Sequence, residues 1–90
     1  MKLVWTANAW EDYEFWQKTD PRMVEKINEL IRNAKRTPFS CLGKPEPLKG
    51  DLTGFWSRRI TGDHRLVYRV AGSNDEQRLE IIQCRYHYQR

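Results

Sequence analysis

The dipeptide Asp20-Pro21 constrains this 90-residue chain more than any other short stretch. An aspartate caps a helix by accepting from its first unpaired N–H groups. A proline suits the first helical position, where an N–H would have no intrahelical partner. The pair predicts that one helix starts here and that whatever precedes it has stopped. Downstream, Val24, Ile27, Leu30, Ile31 and Ala34 recur at helical spacing, Lys35 and Arg36 suit a helix C-terminus, and Pro38 ends the run. Upstream, Ala9, Trp10, Tyr13 and Trp16 share the same period. Thr6 or Asn8 can cap that first helix, and Asn8 with Glu11 fits a capping box. Two helices joined this tightly read as an αα-hairpin whose apolar stripes are core.

The rest of the chain reads as strands. Leu3 to Trp5 is a short first strand, and Phe55 to Thr61, Arg65 to Ala71 and Arg78 to Tyr86 are three more, joined by turns at 61–64 and 72–77. The order β-α-α-β-β-β predicts a single α+β domain over residues 1–90, an antiparallel sheet with the helical hairpin on one face. Period two assigns the faces. Leu66, Tyr68 and Val70 point towards the helices. Arg65, Val67 and Arg69 point away. Trp56, Arg58 and Ile60 share one face of their strand, and Ser57 and Arg59 the other. Residues 37–54 hold three of the four prolines and three of the five glycines, which predicts an ordered but irregular loop. A loop that long is often functional.

Charge narrows the partners. Residues 1–31 carry four Lys/Arg against six Asp/Glu, whereas residues 32–90 carry twelve against six. A basic half suits a polyanion. The two cysteines make neither a disulfide framework nor a zinc motif; Cys84 lies in an apolar run and reads as a small buried hydrophobe, Cys41 as a loop thiol. No signal peptide, long apolar run, metal or cofactor motif is evident, so a soluble cytoplasmic protein without a cofactor is expected.

Several side chains could carry chemistry. His87, between Tyr86 and Tyr88 and after Arg85, offers a group that exchanges protons near neutrality. Arg58, Arg59, Arg65 and Arg69 upstream offer cations for phosphate. Together these are what cutting RNA without a metal requires. Glu46, between Pro45 and Pro47, is held cheaply in place; it reads equally as a base or as a loop acid paired with Lys44 or Lys49. Arg65, Arg59 and Lys49 could stabilise charge building on a scissile phosphate. Tyr88 is the better candidate for stacking on a base, while Trp56 leans towards core and His64 towards a structural role.

Several blocks, in order, resemble the YoeB toxins (Txe/YoeB family) of the RelE superfamily: Asn28-Glu29-Leu30-Ile31, Arg36-Thr37-Pro38-Phe39, Gly43-Lys44-Pro45-Glu46-Pro47-Leu48, Gly54-Phe55-Trp56-Ser57-Arg58-Arg59-Ile60, His64-Arg65-Leu66-Val67-Tyr68 and Cys84-Arg85-Tyr86-His87-Tyr88. The resemblance spans residues 1–88. It implies a microbial-RNase-like fold and the toxin of a type II toxin–antitoxin system, a metal-independent endoribonuclease that enters the ribosomal A site and cuts mRNA there. It implies Glu46, Arg65 and His87 as catalytic residues, with Lys49, Arg59 and Tyr88 in support. It also implies a YefM-like antitoxin, the 70S ribosome and mRNA as partners, a capacity to form homodimers, and operator DNA contacts made through the antitoxin complex. Two features depart from the family pattern: the chain continues with Gln89-Arg90, and the turn at 72–77 is longer. A non-catalytic basic RNA- or protein-binding module would keep the arginines without needing Glu46 and His87. A ParE-like toxin would act on another target and would not need the His-Tyr ending.

Overall fold

A computed structural model describes residues 1–87. Strand β1 (Lys2–Trp5) leads into helices α1 (Ala7–Thr19) and α2 (Pro21–Arg36). Strands β2 (Glu46–Pro47), β3 (Trp56–Arg59), β4 (Arg65–Ala71) and β5 (Arg78–Gln83) follow. Asp20 separates the helices by serving both. Its N–H donates to the Trp16 carbonyl at 2.8 Å, closing α1, and its carboxylate accepts from Arg22 N at 3.1 Å, opening α2. Thr6, not Asn8, caps α1: its hydroxyl oxygen accepts from Ala9 N at 3.1 Å. Asn8 lies inside the helix.

The sheet has five strands in the order β1-β5-β4-β3-β2. The antiparallel meander β3-β4-β5 is as expected. Two edges add to it. β1 pairs parallel to β5, Leu3 opposite Leu79, which is possible because both helices and strands β2 to β4 lie between them in the chain. β2 emerges from the proline-rich loop and pairs Glu46 with Ser57. Proline is tolerated there because an edge strand has one side of its backbone unpaired.

The core lies between the hairpin and one sheet face. Ile27, Leu30 and Ala34 from α2 meet Ile60, Leu66, Tyr68, Leu79 and Ile81, with Ala9 and Trp16 from α1 and the thiol of Cys84. Trp56 packs half-buried against this cluster, its ring 4.8 Å from that of Phe39. Burial pushes the Cys84 thiol up to about 12, with the nearby Asp12 adding to the effect. Among the described residues no helix is long and apolar enough to cross a membrane.

One arginine leaves the group predicted to bind phosphate. Arg58 shares its strand face with Trp56 and Ile60, and that face is the covered one, so its side chain is fully buried. Its five N–H donors all find acceptors. Nε donates to the Tyr68 hydroxyl, Nη1 to Asn33 Oδ1 and the Leu42 carbonyl, and Nη2 to the carbonyls of Thr37 and Ser40, at 2.5–3.1 Å. The Tyr68 hydroxyl in turn donates a hydrogen bond to the Pro38 carbonyl at 2.6 Å. The guanidinium thus ties the start of the long loop to the sheet and has nothing left for a ligand. A buried cation satisfied by neutral oxygens is costly to desolvate, so each of these bonds matters to the loop.

Candidate functional site

The sheet face away from the helices carries the candidate chemistry, and the strand registers put it together. Glu46 on β2 stands opposite Ser57 on β3, Ser57 opposite Val67 on β4, and Val67 opposite Gln83 on β5. One step along, Arg59 stands directly opposite Arg65. A cleft of about 60 Å³ is lined by Lys44, Glu46, Ser57, Arg59 and Arg65.

Local structure explains how Glu46 arrives there. Its neighbours Pro45 and Pro47 fix φ on both sides. The Gly43 carbonyl accepts from Arg59 N at 2.8 Å, and Leu48 N donates to the Phe55 carbonyl at 2.9 Å. Leu48 is buried and anchors the far end of the short strand. Among the described residues Glu46 forms no ion pair with Lys44 or Lys49 within 4.0 Å. The reading of Glu46 as a paired loop acid therefore finds no support.

Arg59 and Arg65 face each other across two strands. Like charges directly opposite on a sheet are destabilising. Neither is neutralised by an ion pair among the described residues. Arg65 is held by three carbonyls, those of Thr61 at 2.7 Å and of Gly62 and His64 at 3.1 Å, and all three bonds leave from Nη1. Among the described residues Nε and Nη2 make no hydrogen bond. A pair of cations held together with no ion pair among the described residues suits an oxyanion that bridges them.

Arg69, Arg78 and Arg85 are engaged elsewhere. Arg69 pairs with Glu80 at 2.5 Å and lies over the Phe55 ring, its guanidinium carbon 5.3 Å from the centroid. Arg78 binds the other oxygen of Glu80 at 2.7 Å. Hydrogen bonds from Arg69 and then Arg78 hold the Glu80 carboxyl below the usual carboxylate range. Arg85 stacks on Phe15, 3.5 Å from its centroid, and reaches the Tyr86 ring at 4.5 Å.

The segment after β5 turns along the start of β4. Arg65 N donates to the Tyr86 carbonyl at 3.0 Å, and Tyr86 N donates to His64 Nδ1 at 2.7 Å. Gln83 Nε2 donates to the carbonyls of Arg85, Tyr86 and His87 at 2.8–3.2 Å. Tyr86 adopts φ +65°, a left-handed conformation that a tyrosine holds only when its surroundings impose it. His87, half-buried, follows the residue whose carbonyl pairs with Arg65, but it does not line the cleft. Tyr88 lies outside the described residues. Lys49 is exposed at the start of the 3₁₀ turn Gly50–Leu52 and is not part of the cleft lining.

Sequence reasoning did not single out Lys44 or Ser57 as lining, nor His64 as the acceptor for Tyr86. Ser57 was legible in principle, since it has the face parity of Arg59. The roles of Lys44 and His64 depend on loop geometry and on contacts between segments far apart in sequence.

Comparison with known proteins agrees with this fold. A family described as the YoeB-like toxin of bacterial type II toxin–antitoxin system matches residues 5–88. Toxin YoeB of Escherichia coli (strain K12) is 59% identical over 88 residues, covering 98% of this chain and 100% of the relative. The structure of a YoeB/ParE toxin from Agrobacterium tumefaciens is 76% identical, covers 98% of this chain and all of its own, and superposes with a TM-score of 0.94. YoeB from Staphylococcus aureus, solved as a dimer and in a YoeB-YefM complex, is 43% identical with a TM-score of 0.84, and 98% of each chain is covered. The chain belongs to the YoeB family, the YoeB-like toxins of bacterial type II toxin–antitoxin systems.

Proposed function

We propose that this toxin is a ribosome-dependent endoribonuclease that cuts mRNA in the A site and thereby stops translation. The observation that carries the reading is the cleft in which Glu46 stands with Lys44, Arg59 and Arg65, beside a backbone segment that leads to His87. A carboxylate beside several cations can accept a proton while the cations hold a phosphate.

In the proposed reaction Glu46 takes the proton of a ribose 2′-hydroxyl. The 2′-oxygen forms a bond to the adjacent phosphorus, and the bond from phosphorus to the 5′-oxygen breaks. His87 hands its proton to that leaving oxygen. The products are a 2′,3′-cyclic phosphate and a 5′-hydroxyl, and neither metal nor cofactor takes part. Arg65 binds the non-bridging oxygens as their charge grows, Arg59 and Lys49 assist, and Tyr88 stacks on a neighbouring base. A cognate antitoxin of the YefM type restrains the activity, and its acidic flexible segment suits the basic half of the chain. Homodimerisation, operator DNA contact through the antitoxin complex and a cytoplasmic site of action belong to the same reading.

The test is cleavage of mRNA on programmed bacterial ribosomes, mapped by primer extension, with free RNA and Glu46→Gln and His87→Ala variants alongside. A cut within the A-site codon is expected. General acid–base groups contribute roughly 10²–10⁴-fold each, and each variant should lose activity on that scale. Ribosome binding without a cut by the wild type would favour a binding module instead.

A further inference from the structure

We infer that Lys44 is a third catalytic cation of the cleft, contacting the scissile phosphate together with Arg59 and Arg65. The inference rests on the endoribonuclease reading and adds a residue to it.

Lys44 lines the cleft two residues before Glu46. It does so from an unfavourable backbone conformation. Its φ is +50°, Gly43 before it has φ +82°, and Cys41 has φ +76°. Lysine gains nothing from the left-handed region, so such a conformation persists only where the surroundings impose it, and such sites cluster at functional positions. Here the restraints can be named. Arg58 holds the carbonyls of Thr37, Ser40 and Leu42. Arg59 N holds the Gly43 carbonyl. Gly43 itself lies so close to α2 that a Cβ there would come within 2.8 Å of Leu30 Cδ2. Pro45 then fixes the exit. The loop is therefore locked into a shape that brings Lys44 to the wall shared by Glu46 and Arg59.

Charge gives the placement its chemistry. The lining holds three cations and one carboxylate. A phosphodiester carries one negative charge, and attack by the 2′-oxygen puts a second on its non-bridging oxygens. When Glu46 accepts the proton it becomes neutral, so three cations then face a dianion. Arg59 and Arg65 approach from facing strands. Lys44 supplies a point charge on a flexible stem from the side of the base, where a planar guanidinium has less freedom. An interaction that strengthens as charge develops lowers the barrier more than it tightens ground-state binding.

Single-turnover cleavage on programmed ribosomes tests this, with melting curves for every protein. The variants are Lys44→Ala, Lys44→Gly, Lys44→Arg and, as a charge control on helix α1 outside the cleft lining, Lys18→Ala. Lys44→Gly removes the side chain but relieves the left-handed backbone, so it should melt no lower than the wild type. The expected result is a loss of about 10²–10³-fold in rate for both Ala and Gly, the scale of one transition-state donor. Lys44→Arg should retain part of the rate, and Lys18→Ala should match the wild type. A Lys44→Gly protein that cuts within roughly two-fold of a cutting wild type overturns the inference and leaves the endoribonuclease reading intact. A wild type that leaves mRNA whole overturns both.

Discussion

The Nδ1 of His64 accepts the backbone N–H of Tyr86 at 2.7 Å, and this one bond joins the turn before β4 to the segment that carries His87. To accept there, the imidazole must keep its proton on Nε2. The ring also stands edge-on to Trp16, centroids 4.9 Å apart, which fixes its plane from the core side. With Arg65 N on the Tyr86 carbonyl, the segment is held at two consecutive backbone groups. His64 is a positioning residue by this geometry.

His64→Phe keeps a ring against Trp16 and removes the acceptor. Losing one net hydrogen bond should cost about 1 kcal/mol of stability. Hydrogen exchange at the Tyr86 amide should speed up by more than the global loss explains, and mRNA cleavage should fall although no cleft residue has changed. If the Tyr86 amide keeps its protection in the variant, the bond does not hold the segment.

The buried guanidinium of Arg58 makes a second prediction. Lysine offers three donors where arginine offers five, so Arg58→Lys withdraws two of the five bonds that the interior oxygens receive from the cation. At about 1.5–3 kcal/mol for each lost bond to a charged group, a loss of roughly 3–6 kcal/mol is expected. Tyr68→Phe should cost less, because it removes only the hydroxyl between Arg58 Nε and the Pro38 carbonyl. Urea unfolding measures both. A change below about 0.5 kcal/mol for Arg58→Lys, the size usual for exposed sites, would mean that the knot does not support the fold.

Gly43 should tolerate no side chain. Its left-handed φ and the 2.8 Å approach to Leu30 make Gly43→Ala strained twice over. Overpacking of this kind typically costs about 1–3 kcal/mol. The melting temperature should drop, and cleavage should drop further than stability, since the same loop carries Lys44 and Glu46. A variant that melts and cuts like the wild type would show that the loop is not held as tightly as its contacts imply.

The two thiols should differ in reactivity and in their effect on stability. Cys41 is exposed, and hydrogen bonds from Ser40 and Thr37 lower its pKa, so it should be alkylated readily near pH 8. Cys84, raised to about 12 by burial, should resist until the protein unfolds. Burial favours the neutral Cys84 thiol, so its contribution to stability is whole below the ordinary thiol value of 9.0. It is lost as pH rises from there towards about 12. Tyr68, also raised by burial, acts in the same direction. Glu80 has the opposite sign: lowered by Arg69 and Arg78, it stabilises above the usual carboxylate range and loses that contribution as pH falls. Native mass spectra after alkylation and melting curves against pH check these expectations. Modification of both thiols in the folded protein at pH 8 would contradict the burial of Cys84.

Signals of short range were legible in the sequence alone. Asp20-Pro21 marks the helix junction because capping and proline geometry act within one turn. The stripe from Ile27 to Ala34 marks the buried face of α2 because a helix repeats every 3.6 residues. Parity put Arg65 on the open face and Arg59 beside Ser57, and it also put Arg58 beside Trp56 and Ile60, on the side that proved to be the interior. What remained hidden depends on pairings between distant segments. β1 lies parallel to β5 only because the helical hairpin carries the chain to the far edge of the sheet and the meander β3-β4-β5 brings it back. A two-residue strand forms at Glu46–Pro47 only because β3 offers it a partner. Lys44 reaches the cleft because Arg58 and Leu30 confine its loop, and the path to His87 follows from an imidazole 22 residues upstream of Tyr86. Local backbone preferences select the elements, whereas long-range hydrogen bonds and close packing decide which side chains meet, and those contacts exist only once the chain has folded.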